Sequence, residues 1–488
     1  MENTGADCPD PSSLNKNNLK SCKTLPNPFE WADGSGKVTD FCDWACRRNE
    51  IKREIEYWEI GEKPKFDKLE ASYSGGTLTV KVYNGNNSLT LTSKLTIPSG
   101  NGPHPIVIGM DQKTGSLNAS LFSKCIQLPF THKQIAGYSS DGGRSQNDPF
   151  YKLYPGTFDS KADYCAWSWG ISRLIDGLEI IKDQINADLG HIAVTGCSYA
   201  GKMALFAGAL DERIALTISQ ESGGGGINAW RVSKEINQSG GVNGEKIEGI
   251  ENTEYNWFLN SFKSNFESQI DKLPYDHHEL IALCAPRAFL AYGNTDYNWL
   301  GAPSGDMALK AAAEVWKAMG IEDRFGYVID GGHGHCQASN SQNNAAKAFI
   351  EKFLFGDNSQ NTKIRSSNVN PTYSSGKYDW GGHKIVNNGC GGSASGVENV
   401  LMEGYSLSQN MPNPTSDETS IEFSIADNTF VSITLYNELG MKVMDIVSDD
   451  FSAGSYKADF SVDGLASGIY HYVMQANGFV SSKSLIVK

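Results

Sequence analysis

Five short apolar runs constrain this chain more than any other feature: "PIVIGM" (105–110), "HIAVTGC" (191–197), "RIALTISQ" (213–220), "PRAFLAYG" (286–293) and "GYVIDGG" (326–332). Each has the length of a strand and is too evenly apolar to have one face in water, so each must be buried on both sides. The stretches between them carry helical periodicity. In "GISRLIDGLEIIKDQI", for example, Ile171, Leu174, Ile175 and Leu178 fall on one face. Strand and helix alternating in this way predict a mostly parallel central sheet with helices on both faces, a three-layer α/β sandwich. The helix "NAAKAFIEKFLFG" closes that core.

The rest of the 488 residues flank the core. Residues 1–66 are a Pro-, Asn- and Cys-rich lead-in with one helical stretch, "NEIKREIEYWEIG", whose Ile51, Ile55 and Trp58 share a face. From 70 to 98 apolar and polar residues alternate around an Asn-Gly, which predicts a hairpin opening a core over 67–357. Residues 358–404 lose periodicity in favour of Ser, Asn and Gly and read as a linker. Beyond them, 405–488 holds short alternating strands, "TSIEFSI", "VSITLYN", "SYKADFSV" and "GIYHYVMQ", the pattern of a small β-sandwich.

A net charge of −14 argues against nucleic acid, which requires a basic face. No apolar run reaches the roughly 18 residues of a membrane span. The start "MENTGADCPD" lacks a signal pattern, so the chain is either cytosolic or a mature form in which Met1 replaces a removed signal. Ten cysteines include no C-x-x-C pair, and Cys8, Cys22, Cys42 and Cys46 crowd the lead-in, which suits disulfides formed after export.

The chemistry points to "VTGCSYAG". Ser198 ends an apolar strand and opens a helical run, with Gly196 at −2 and Gly201 at +3. A nucleophile elbow places small residues there because strand and helix backbones meet closely around a strained turn. Ala200 holds +2, where the pattern has glycine. An ordinary βα turn with a capping serine would read the same way.

A serine needs a base, and "GGHGHCQ" after the last core strand offers His333 and His335. Cys197 precedes Ser198 and Cys336 follows His335, so a bond between those sulfurs would bring hydroxyl and imidazole together. A zinc site on "HGHC" lacks a further ligand cluster of matching spacing, and no metal or cofactor is expected. Two carboxylates are candidates: Glu221 in "ISQESGGGG" and Asp296 after "FLAYGNT".

"GCSYAGKMAL", "QESGGGG", "LPYDHHELIALCAPR", "NTDYNWLG" and "GGHGHCQ" together resemble the glucuronoyl esterases, carbohydrate esterases of the α/β-hydrolase fold that cleave glucuronic acid esters in plant cell walls. With "LPNPFEW", "DWACRRNEIKREIEYWEIG" and "AWSWGISRLIDGLE", the likeness covers roughly residues 8–355. It implies a triad of Ser198, Glu221 and His335 and a Cys197–Cys336 bridge; Asp296, from its place after a core strand, is kept as the reserve acid. It further implies sugar contacts from Lys202, Glu254 and Trp299, and a Cys8–Cys46 bridge. Cys22–Cys42 is then expected as a further pair, with no pairing assigned to Cys125, Cys165, Cys284 or Cys390.

Two positions depart from the family. Tyr199 stands where the family usually has an Arg that helps stabilise the oxyanion, leaving its backbone N–H as the expected donor. Ala229 stands where fungal members have a disulfide-bonded Cys.

The C-terminal segments "NMPNPTSDETSIEFSI", "VSITLYNELGMKVMDI", "LASGIYHYVMQANG" and "SSKSLIVK" resemble the sorting domain of type IX secretion cargo from Bacteroidetes-like bacteria. That implies a secreted or cell-surface protein with the secretion machinery as a partner, while the esterase resemblance implies glucuronoxylan and lignin–carbohydrate esters as the others. An acetylxylan or general carboxylesterase on the same triad, and a glycan-binding protein disabled at Tyr199, are the alternatives.

Overall fold

The segment after the lead-in folds as an antiparallel meander of β1 (Lys68–Ser74), β2 (Thr77–Asn84) and β3 (Asn87–Lys94). This is one strand more than the expected hairpin. Gly75 and Gly76 take φ of 57° and 77°, the paired left-handed conformations of a primed two-residue turn, and so join β1 to β2. Leu78, Val80 and Val82 alternate inward from β2 and are fully buried.

The computed structural model describes residues 8–138, 143–386, 405–437, 442–477 and 479–488. In it the five apolar runs become β4 (His104–Met110), β7 (Ala187–Cys197), β8 (Ile214–Gln220), β9 (Ala288–Asn294) and β10 (Phe325–Asp330). The short β5 (Lys113–Ser116) and the strand β6 (Ile126–Phe130) fall between the first two. The seven-stranded sheet runs β11-β10-β9-β8-β7-β4-β6, with β11 (Arg365–Ser367) at one edge, and its strand pairs are all parallel.

Each central strand divides its side chains between two apolar clusters. Ile106, Ile108, Ile192 and Val194 pack with the helices Asp163–Ile185 and Tyr199–Leu210. Val107, Ala193, Leu216 and Ile218 pack with Phe349, Ile350 and Leu354 of the helix Asn340–Phe355. Period-two alternation into two dry faces is the α/β-hydrolase arrangement and explains why these strands read as continuous apolar runs.

The lead-in helix is longer than its periodic stretch, spanning Phe41–Ile55, and starts where Asp40 caps the backbone N–H of Asp43. Ile51, Ile55 and Trp58 are buried as expected. Arg47 of this helix pairs with Glu50 at 3.0 Å and with Glu279 at 3.1 Å, tying the lead-in to the helix His277–Ala282. Cys8 is bonded to Cys46. Cys22 is not bonded to Cys42: Cys22 is a free thiol, whereas Cys42 is in a disulfide. Cys22 is held elsewhere, its N–H donating to Asp271 and its carbonyl accepting from Arg231.

Part of the expected linker is built into the first unit. Beyond the β11 edge strand, Trp380 is buried and stacks with His278 at 5.6 Å, and Ile385 is buried. Aromatic anchors hold this stretch without any period to announce them. The chain divides into two compact units. The second contains β12 (Ser406–Leu407), β13 (Glu418–Ile425), β14 (Thr429–Asn437), β15 (Lys442–Phe451), β16 (Gly454–Ser461), β17 (Gly468–Ala476) and β18 (Phe479–Val487). They form antiparallel sheets β12-β13-β16 and β15-β14-β17-β18 over a core that includes Ile421, Phe423, Ile433, Leu435 and Tyr472.

Candidate active site

Ser198 sits between the end of β7 and the helix Tyr199–Leu210 with φ 59° and ψ −129°, the strained turn that lifts a nucleophile above the sheet. The neighbouring glycines are sterically required. A Cβ on Gly196 would lie 2.2 Å from the carbonyl oxygen of Ala200, and one on Gly201 would lie 2.4 Å from that of Gln220. The close approach is therefore made at +3, which frees +2 for alanine. The Ser198 N–H donates to Gln220 at 3.0 Å, binding the elbow to the end of β8.

The next residue along β8 is Glu221, buried at 1% exposure and held at φ 44°. Its Oε2 accepts from Nδ1 of His335 at 2.6 Å and from the backbone N–H of Cys336 at 3.1 Å. With Nδ1 donating to a carboxylate, Nε2 of His335 is left as the basic nitrogen. The Cys197–Cys336 disulfide holds its two Cα atoms 5.6 Å apart, so the residues flanking it, Ser198 and His335, are kept as neighbours. It also removes the thiolate that a zinc reading of "HGHC" would need.

The other candidates have hydrogen-bond partners of their own. Asp296 accepts from the backbone N–H of Gly332 at 2.6 Å and so ties the loop after β9 to the loop after β10. His333 lies among Asn294, Asp330 and Gln342, with Nδ1 3.7 Å from Glu221 Oε1.

On one side of the elbow, Lys202 pairs with Glu248 at 2.7 Å and lies 4.3 Å over the ring of Trp257. Glu254 accepts from Asn256 Nδ2 at 2.7 Å in the same loop. On the other side, Trp299 is 40% exposed and meets the His335 ring edge-on at 4.9 Å, while the hydroxyl of Tyr297 accepts from the His335 N–H. Sequence reasoning missed Tyr138, Trp257, Tyr297 and Glu248, which sit in loops without period. Trp257 lies three positions past Glu254 in "TEYNWF", the one signal that could have found it.

The Tyr199 hydroxyl donates to Oδ2 of Asp111 at 2.6 Å, so its side chain does not take the place of the expected arginine donor. Burial pushes the Asp111 carboxyl up, but hydrogen bonds from His132 and Tyr199 outweigh it and hold it below the usual carboxylate range. Ala229 is buried, its carbonyl accepting from the Ser304 hydroxyl at 3.0 Å.

Residues 80–320 match the family model for glucuronyl esterase of fungi, and residues 411–488 match the model of a secretion system C-terminal sorting domain. The chain is 38% identical over 355 residues to a 4-O-methyl-glucuronoyl methylesterase of Podospora anserina, covering 72% of each chain. It is also 36% identical to one of Schizophyllum commune, over 74% of this chain and 90% of that one. Among solved structures it is similar to the glucuronoyl esterase catalytic domain of Hypocrea jecorina, with a TM-score of 0.68, 36% identity and coverage of 75% and 98%. A Sporotrichum thermophile glucuronoyl esterase mutant, solved with methyl 4-O-methyl-β-D-glucopyranuronate, gives a TM-score of 0.66 and 35% identity over 72% and 93%.

Proposed function

Because the chain belongs to the glucuronoyl esterase family, we propose that Ser198, His335 and Glu221 hydrolyse esters of (4-O-methyl-)D-glucuronic acid in glucuronoxylan, releasing lignin alcohols. His335 Nε2 takes the Ser198 proton as Oγ attacks the uronate carbonyl carbon. Glu221 keeps the imidazole in the required tautomer and stabilises its charge. The backbone N–H of Tyr199, the first residue of its helix, donates to the oxyanion. As the tetrahedral intermediate collapses, the carbon–oxygen bond to the alcohol breaks and His335 returns the proton to the leaving oxygen. Water then repeats the sequence on the acyl-enzyme, freeing the uronate and Ser198.

Lys202, Glu254 and Trp299 hold the sugar, the first two through its hydroxyls and Trp299 through its exposed face. The 2.6 Å contact of Glu221 with His335 carries this reading, since it orients a base beside an elbow serine.

The C-terminal unit carries the sorting-domain match. We infer that it addresses the enzyme to the type IX machinery of a Bacteroidetes-like bacterium, and so to the cell surface or medium. Among the described residues no helix is long and apolar enough to cross a membrane. The deciding experiment compares benzyl glucuronate with 4-nitrophenyl acetate. The expected result is strong preference for the uronate, abolished by Ser198→Ala. Preference for the acetate would make this a general or acetylxylan esterase, and binding of glucuronoxylan fragments without turnover would make it a glycan-binding protein.

A further inference from the structure

The position after the nucleophile is clamped from three directions. The Tyr199 hydroxyl donates to Asp111 at 2.6 Å, its ring stacks on Tyr138 at 4.0 Å with 9° between the planes, and its carbonyl accepts from the Tyr164 hydroxyl at 3.3 Å. Asp111 is itself fixed. It follows β4, whose register against β7 runs as far as Gly109 opposite Thr195, two residues before Asp111 on one strand and three before Ser198 on the other. Its backbone takes a left-handed φ of 60°, and its N–H donates to Phe130 at the end of β6. Both carboxylate oxygens face Nδ1 of His132, at 2.6 and 2.7 Å, and the buried His132 ring packs edge-on against Tyr199 at 5.8 Å.

We propose that Asp111, braced by His132, is a positioning residue that holds Tyr199 so that its backbone N–H stays aimed at the oxyanion. The role rests on the triad reading above. An oxyanion donor contributes only if it is in place before charge develops, because reorganising it during the reaction raises the barrier. Where an arginine would add a second, mobile donor, this chain relies on the backbone N–H. That donor belongs to a residue following a strained turn, and a strained turn persists only when its surroundings over-determine it. The acid–phenol bond supplies that restraint from a neighbouring strand, in a chain from β4 and β6 to the elbow.

The test is a double-mutant cycle on benzyl glucuronate with Tyr199→Phe, Asp111→Ala and the pair, with Ser198→Ala alongside. Each single change is expected to lower kcat about tenfold with KM within about twofold, since the bond acts on the transition state and not on substrate binding. The double variant is expected to be no more than about threefold below the worse single, because both changes delete one interaction. Asp111→Asn keeps an oxygen acceptor and is expected to recover most of what Asp111→Ala loses.

Losses that multiply in the double variant, or a KM effect with kcat unchanged, overturn the positioning role. Turnover surviving in Ser198→Ala overturns the triad reading first. Multiplying losses beside a dead Ser198→Ala overturn this role alone. A general packing defect would instead lower the melting temperature of Asp111→Asn and Asp111→Ala alike without separating their kcat values, and that outcome also defeats the proposal.

Discussion

Nδ1 of His335 donates to Oε2 of Glu221 across 2.6 Å, while the carboxylate of Asp296 is spent on the Gly332 N–H. Of the two candidate acids, Glu221 is the one bonded to the His335 imidazole. Glu221→Gln is expected to cut kcat on benzyl glucuronate by roughly 10³–10⁴, because a neutral amide neither fixes the tautomer nor balances the imidazolium. Asp296→Asn is expected to keep most of the activity. The reverse ranking in steady-state kinetics would move the acid to Asp296.

Elbow geometry gives a prediction that involves no reacting atom. A methyl on Gly201 would press into the Gln220 carbonyl, which also receives the Ser198 N–H, and the obstacle is backbone that cannot rotate away. Gly201→Ala is expected to cost about 1–3 kcal/mol of stability and to lower kcat as well, by moving the elbow. Gly381, with open space around its Cβ direction, serves as the control. Urea midpoints of the two variants should differ clearly, and equal midpoints would contradict the steric account.

These glycines also show how far the sequence could be read. The central strands, the elbow and "GGHGHCQ" are legible because burial on two faces, close backbone approach and a base at a strand end each force particular residue types into short spans. Asp111, His132 and Tyr138 leave no such mark. They lie in loops after β4 and β6, and their meaning depends on which strand neighbours which, a fact carried by the β4–β7 register. The stretch around Trp380 fails for a related reason, since isolated aromatic anchors produce no period. "DHHE" is conspicuous but structural: Asp276 caps its helix and fixes the N–H groups of Trp230 and Arg231, and His277 pairs with Glu59 at 2.8 Å. The expected Cys22–Cys42 pair is not formed: cysteine spacing gives no direction, whereas the backbone bonds of Cys22 to Asp271 and Arg231 do.

The two described bridges are expected to separate stability from catalysis. Cys197–Cys336 spans 139 residues and Cys8–Cys46 spans 38. On the chain-entropy model, losing the first costs about 5 kcal/mol and losing the second about 4 kcal/mol. The Cys197→Ala/Cys336→Ala enzyme is expected to lose most of its kcat as well, since in the proposed mechanism the bridge keeps base and nucleophile adjacent. Cys8→Ala/Cys46→Ala should retain kcat within about twofold. Denaturant titration read beside kcat checks both halves, and a fully active enzyme without the 197–336 bridge would show that the elbow and Glu221 hold His335 unaided.

Stability is expected to fall between about pH 6.5 and 8, and the cause is the charge cluster under the lead-in. Burial pushes the Glu54 carboxyl up to about 8, against the pull of Arg47, and pushes Glu279 up to about 7 in the same way. Burial would lower His277, but Glu59 outweighs it and raises the imidazole above its ordinary value. All three groups hold protons more tightly folded than unfolded, so each stabilises the fold at low pH, and that contribution is lost as pH rises through the folded value. His278, driven down to about 4 by burial, acts in the opposite sense, but its effect is complete by its unfolded value of about 6.5. Above that pH the carboxyls and His277 set the slope, on the order of 1 kcal/mol per pH unit for each proton released. Melting curves at pH 6.5, 7.25 and 8 should show a steady decline, and Glu54→Gln, which stays neutral throughout, should flatten it. A slope unchanged by Glu54→Gln would mean that Arg47 keeps Glu54 ionised across the range and that the loss arises elsewhere.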